Sequence, residues 1–193
     1  MWLGRIGGTL VILGSVLCTL AAALIVVGAE GGLGSMALLI VPAGIVPIGV
    51  GAAILAMAGP SPLDGRALRV GLAMLGIGIV SYLAANYLPV PAGRNNLQSW
   101  PHVILAVVGV LAAFIGVLVT VASLVRVPGP LRTTGLLLLA GILLLPIAAV
   151  LSNSVTEPPL ATIAAALEVI GFVAVFVGLA GIGVLAIAGD RSA

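Results

Sequence analysis

Apolar residues in this chain come in long unbroken runs, not in the stripes or alternations of a water-soluble fold. Six such runs lie near residues 6–28, 35–58, 68–88, 102–124, 131–151 and 160–188, with short polar or Pro/Gly-rich segments between them. At 1.5 Å per residue, each is long enough to cross a hydrocarbon core of about 30 Å. None shows the every-second-residue alternation of a barrel strand, so helices are the only way to pair the backbone in lipid. The predicted fold is therefore all-α: a polytopic membrane protein with six transmembrane helices, in one bundle spanning 1–193.

Composition strengthens this picture. Of 193 residues, 62% are hydrophobic and 6% charged, against about 25% charged in a soluble domain. Too few polar side chains exist to cover a water-facing surface. The run from Ile6 to Val27 follows Arg5 as a signal peptide would, but a signal core is only about 7–15 residues, so a retained span is expected. Cys18, the single cysteine, excludes an intrachain disulfide and is read as a small hydrophobe within its helix. Leu17 stands where a lipidation box has a small residue.

The seven cations are all arginine. With a cytoplasmic N-terminus, Arg5, Arg66, Arg69, Arg126, Arg132 and Arg191 fall inside and only Arg94 outside, a strong positive-inside bias. The expected location is the cell membrane, multi-pass, with both termini cytoplasmic. Tyr82, Tyr87 and Trp100 then fall at the outer boundary and Trp2 at the inner one, where amphipathic rings settle. No basic cluster suggests nucleic acid.

The odd-numbered spans begin alike. "RIGGTLVILG" starts at Arg5, "RVGLAMLGIG" at Arg69 and "RTTGLLLLAG" at Arg132, and "LAMAG" and "LAIAG" close two even spans. This predicts three repeated helical hairpins, at approximately 5–60, 66–128 and 130–190. A rival division is three helices plus three with inverted topology, which would make the proline-bearing second and fifth spans equivalent. Six spans built from two-helix units, with "GLAMLGIGIV" and "GLLLLAGILLLP" as the supporting stretches, resemble HdeD-like membrane proteins. That resemblance implies a bacterial membrane component associated with acid-stress resistance, and it brings no catalytic residues.

Glycines recur seven apart at Gly7/Gly14, Gly44/Gly51, Gly71/Gly78, Gly109/Gly116 and Gly171/Gly178. Seven residues are two helical turns, so each pair shares a face. In lipid, where apolar surface alone gives helices no reason to associate, close backbone approach is the expected use of such faces. A glycine-lined pore or sliding interface is the functional alternative. Pro42, Pro47 and Pro146 fall inside spans. Each removes a backbone hydrogen bond, so each is a candidate helix kink, serving packing, a hinge or an ion-binding carbonyl.

Little else looks chemical. Glu168 is a single carboxylate in the stretch "AAALEVIGFVAVFVG". Buried unpaired in hydrocarbon it would cost several kcal/mol or more, so it must sit at the boundary, be protonated, or be paired. The candidate polar cluster around it is Tyr82, Asn86, Arg94, His102 and Asn153. His102 by itself reads as a solvated residue at a helix start. With one histidine and no lysine, two-histidine metal or haem ligation and a lysine Schiff base are excluded within the chain. No Walker phosphate loop occurs. No catalytic residue, metal or cofactor is expected. The expected partners are the lipid bilayer and, through unused glycine faces, a second copy or a membrane-complex subunit. Two functions compete: a non-enzymatic accessory, structural or stress-related membrane component, and a small proton- or cation-coupled transporter or channel using Glu168.

Overall fold

A computed structural model describes residues 2–27, 33–58, 65–87, 89, 99–154 and 158–189, with only the helical backbone for 25–27, 33–39, 153–154, 158–159 and 161. Among the described residues the protein is all helix: α1 Trp2–Val27, α2 Leu33–Met57, α3 Arg66–Tyr87, α4 Trp100–Val125, α5 Pro130–Ser154 and α6 Pro158–Gly189. All six are long and apolar enough to cross a membrane. Every helix starts one to four residues ahead of its apolar run, because initiation follows local backbone chemistry as well as hydropathy. α4 starts from an extended Ser99 with a proline in its first turn, and α5 starts on Pro130, positions where the missing N–H costs nothing. The α4–α5 turn uses Gly129 at φ +90°, a conformation that suits glycine alone. The helices run through Pro42, Pro47 and Pro146 without ending.

Each helix packs on its neighbour in the chain, and α6 packs back on α1, closing a ring in sequence order. Contact is most extensive within α1–α2, α3–α4 and α5–α6, and least between α4 and α5. α4 is the most outward-facing helix, with only 17% of its spanning window buried.

Glycines line the contacts within each pair. A Cβ built on Gly7 would lie 2.9 Å from the Gly51 carbonyl oxygen, and one on Gly44 would lie 2.9 Å from that of Gly14. In the second pair, Gly116 meets the Gly71 oxygen at 2.7 Å and Gly109 the Gly78 oxygen at 2.8 Å. In the third, Gly141 meets the Gly171 oxygen at 2.6 Å, while Gly178 meets Leu138 nitrogen at 3.1 Å. The atoms four residues further on correspond too: Val11 nitrogen faces Gly51, and Ile48 and Val175 nitrogens face Gly14 and Gly141. Thr134, buried, occupies in α5 the register place that Gly7 and Gly71 hold in α1 and α3. No side chain fits at the glycine positions unless the helices separate.

Between pairs the glycines are fewer. Gly8 and Gly183 bring α1 and α6 together, each placing a built Cβ within 2.6 Å of the other's carbonyl oxygen. Gly76 on α3 meets Gly49 of α2, and Gly135 on α5 meets Leu124 and Val125 of α4. The fully buried side chains, Leu72, Leu124, Leu138, Ile182 and Val11, fill the space beside these contacts.

Candidate functional site

The residues singled out around Glu168 lie toward one end of the bundle, at the C-terminal part of α3 and the N-terminal parts of α4 and α6. Among those whose side chains are described, Glu168 stands on a helix whose principal neighbours carry none of the others. α6 packs chiefly on α5 and α1, whereas Tyr82 and Asn86 belong to α3 and His102 to α4. Glu168 is exposed, at the edge of the α6 face whose centre carries buried Ala164 and Gly171. About 32 Å of helix separates it from Gly189, at 1.5 Å per residue. Arg94 and the side chain of Asn153 lie outside the described residues.

Tyr82 and Asn86 are exposed, and Asn86 Nδ2 donates to the Tyr82 carbonyl oxygen at 2.8 Å, one turn back on its own helix. The same habit holds elsewhere. Ser15 Oγ donates to Val11 oxygen at 2.7 Å, Thr19 to Ser15 oxygen at 2.8 Å, Ser123 to Val119 oxygen at 2.7 Å and Thr134 to Pro130 oxygen at 3.0 Å. A hydroxyl that bonds the carbonyl four residues back is satisfied without a partner helix. Such groups can sit in an apolar bundle, yet they present little polarity to a substrate. Thr120 is the exception: it is 1% exposed, and its Oγ1 has no hydrogen-bond partner. It lies against Gly71, where a built Cβ would come within 2.6 Å of that oxygen. The contact is too tight to admit a ligand.

His102 departs from its sequence reading. Instead of being solvated it is 7% exposed, with Nδ1 2.7 Å from Ser99 Oγ. The Ser99 hydroxyl therefore serves the histidine and makes no cap bond to the α4 backbone. The signal that could have placed it was spacing: His102 stands seven residues before Gly109, on the glycine face of α4. The α3–α4 register carried one heptad outward sets His102 opposite Ala85, itself buried. In α6 the corresponding place, seven residues before Gly171, is Ala164, also buried.

Cys18 is buried, with Sγ 3.9 Å from the Val41 carbonyl oxygen and close to Gly44. Its environment is helix–helix contact. Among the described residues, no three of His, Cys, Asp and Glu come together as a metal-binding group.

No family model, curated protein or solved structure matches this chain. The reading of its function rests on its own geometry.

Proposed function

We propose that this integral membrane protein is a non-enzymatic accessory, structural or stress-related component of the cell membrane, with both termini and the arginine-bearing turns on the cytoplasmic side. The observation that carries this reading is the dispersal of its polar groups. Glu168 stands at the exposed edge of α6, Tyr82 and Asn86 at the exposed end of α3, and His102 is buried and hydrogen-bonded to Ser99 at the start of α4. A coupling carboxylate needs polar neighbours along a path between helices. Glu168 has no hydrogen bond or ion pair to another described residue, and the depth of α6 below it matches a full hydrocarbon core of about 30 Å. Its carboxylate belongs at the headgroup boundary.

The matched glycine register in α1–α2, α3–α4 and α5–α6 supports three repeated hairpins arranged about a pseudo-threefold axis, in preference to an inverted three-plus-three division. Packing through small residues gives the helices van der Waals contact where lipid offers no hydrophobic drive. Such a ring is suited to holding a place in the membrane or a membrane complex. Its likeness to HdeD-like proteins suggests acid stress as the condition to test first.

Two arms test the proposal. Cells lacking the protein should lose stress tolerance or the stability of a membrane complex, and the purified protein in liposomes should carry no proton or cation flux above that of empty vesicles. A pH-dependent flux that disappears with Glu168→Gln, the bundle remaining folded, would replace this reading with the transporter.

A further inference from the structure

We propose that the seam between α2 and α3 is a binding site for one anionic glycerophospholipid, with an acyl chain in the groove and the phosphate on Arg69. Near the arginine-bearing end of the bundle, beside the close approach of Gly76 to Gly49 and Ala53, α2 and α3 leave an open groove of about 400 Å³. Ala53, Ala56 and Met57 line one wall, and Arg69, Ala73 and Ile77 the other. Three alanines at facing positions leave space where larger side chains would fill the seam. Met57, Val70 and Ile77 are exposed at its rim, so the groove opens outward from the bundle onto the bilayer.

Water is excluded from such a place, because an apolar slot facing hydrocarbon offers it no hydrogen-bond partners. A lipid tail is the molecule at hand that fits. From Arg69 to Ile77 the helix rises about 12 Å, close to the half-thickness of a hydrocarbon core, about 15 Å. A chain lying along the groove therefore has its headgroup at the level of Arg69. Arg69 is half-buried beside the slot and, among the described residues, supplies the one charge in the groove's walls. It also makes a polar interaction within the chain, and a guanidinium with five N–H donors can serve that partner and a phosphate together. Basic pockets between spanning helices favour anionic headgroups for this reason.

The other two seams supply internal controls. Arg5 and Arg132 begin the same sequence pattern as Arg69, but both are exposed. Gly8 and Gly183 bring the α1–α6 backbones together, and Gly135 seats against Leu124 and Val125 at α4–α5. Of these three arginines, Arg69 is the half-buried one, and it lines the α2–α3 groove.

The test uses the full chain in phosphatidylcholine vesicles with a trace of spin-labelled phosphatidylglycerol, and reads the immobilised fraction and its residence time. Arg69→Gln should shorten the residence time about three- to tenfold, as expected for exchanging a charge-assisted hydrogen bond for a neutral one, while Arg132→Gln leaves it unchanged. Ala73→Phe should remove the long-lived component by filling the slot. Equal residence in wild type and Arg69→Gln, or equal losses with Arg69→Gln and Arg132→Gln, would overturn the proposal, as would a folded Ala73→Phe protein that retains the long-lived component. If Ala73→Phe does not fold, the arginine pair decides alone. Immobilisation of a same-chain neutral lipid to the same extent as phosphatidylglycerol would also count against it.

Discussion

Gly78→Leu is expected to destabilise the bundle by about 3 kcal/mol or more, at the upper end of what overpacking costs. The reason is the kind of neighbour it meets. A Cβ at Gly78 would contact the Gly109 oxygen at 2.6 Å and Ala113 Cα at 2.7 Å, and its three nearest atoms all belong to backbone. No rotamer change can relieve that clash, so α3 and α4 must move apart along the most extensive contact in the ring. Gly4→Leu is the matched control, because a Cβ there meets nothing within 4 Å. Reversible unfolding in mixed micelles, followed by helical circular dichroism, should show Gly4→Leu within about 0.5 kcal/mol of wild type. Similar stability for both variants would show that the α3–α4 approach is not what holds this pair.

The second large effect is expected at the seam that closes the ring. Gly183→Leu should cost about 2–3 kcal/mol, less than Gly78→Leu, because a Cβ there meets the Gly8 oxygen at 2.5 Å but also the Ile12 Cγ1 at 2.8 Å, and a side chain can shift. The damage should be local. α1 keeps its contact with α2, and α6 keeps its contact with α5. Hydrogen exchange should therefore speed up in α1 and α6 near Gly8 and Gly183 while amides of α3 and α4 keep their protection. Uniform acceleration across all six helices would mean that the three pairs are not separate units of stability.

The number of spans and their approximate places could be read from run length alone, because hydrocarbon thickness is a harsh filter. Helix ends could not be, since Pro130 and Ser99 set their starts by backbone chemistry that hydropathy does not record. The heptad glycines showed which faces were flat, but only the folded chain shows that Gly7 meets Gly51 or that Gly71 meets Gly116. The ring order depends on contacts between pairs, such as Gly8–Gly183, which have no repeat to advertise them. A helix start alone points His102 to solvent, whereas its place seven residues before Gly109 buries it on the α3–α4 contact face. Residues at one end of a bundle can also belong to helices that are not ring neighbours, as Glu168 on α6 and Tyr82 and Asn86 on α3 do, and run length does not show this.

An even-numbered bundle of paired spans is expected to keep its arginine-bearing turns on one side of the membrane. The most direct test is single-cysteine labelling in intact cells, in a Cys18→Ala background, with a membrane-impermeant thiol reagent applied from outside. Arg66→Cys and Val127→Cys should stay unlabelled until the membrane is opened, and Asn95→Cys should label at once. Labelling of residues 66 and 127 on opposite sides, or of residues 66 and 95 on the same side, would contradict the six-span topology.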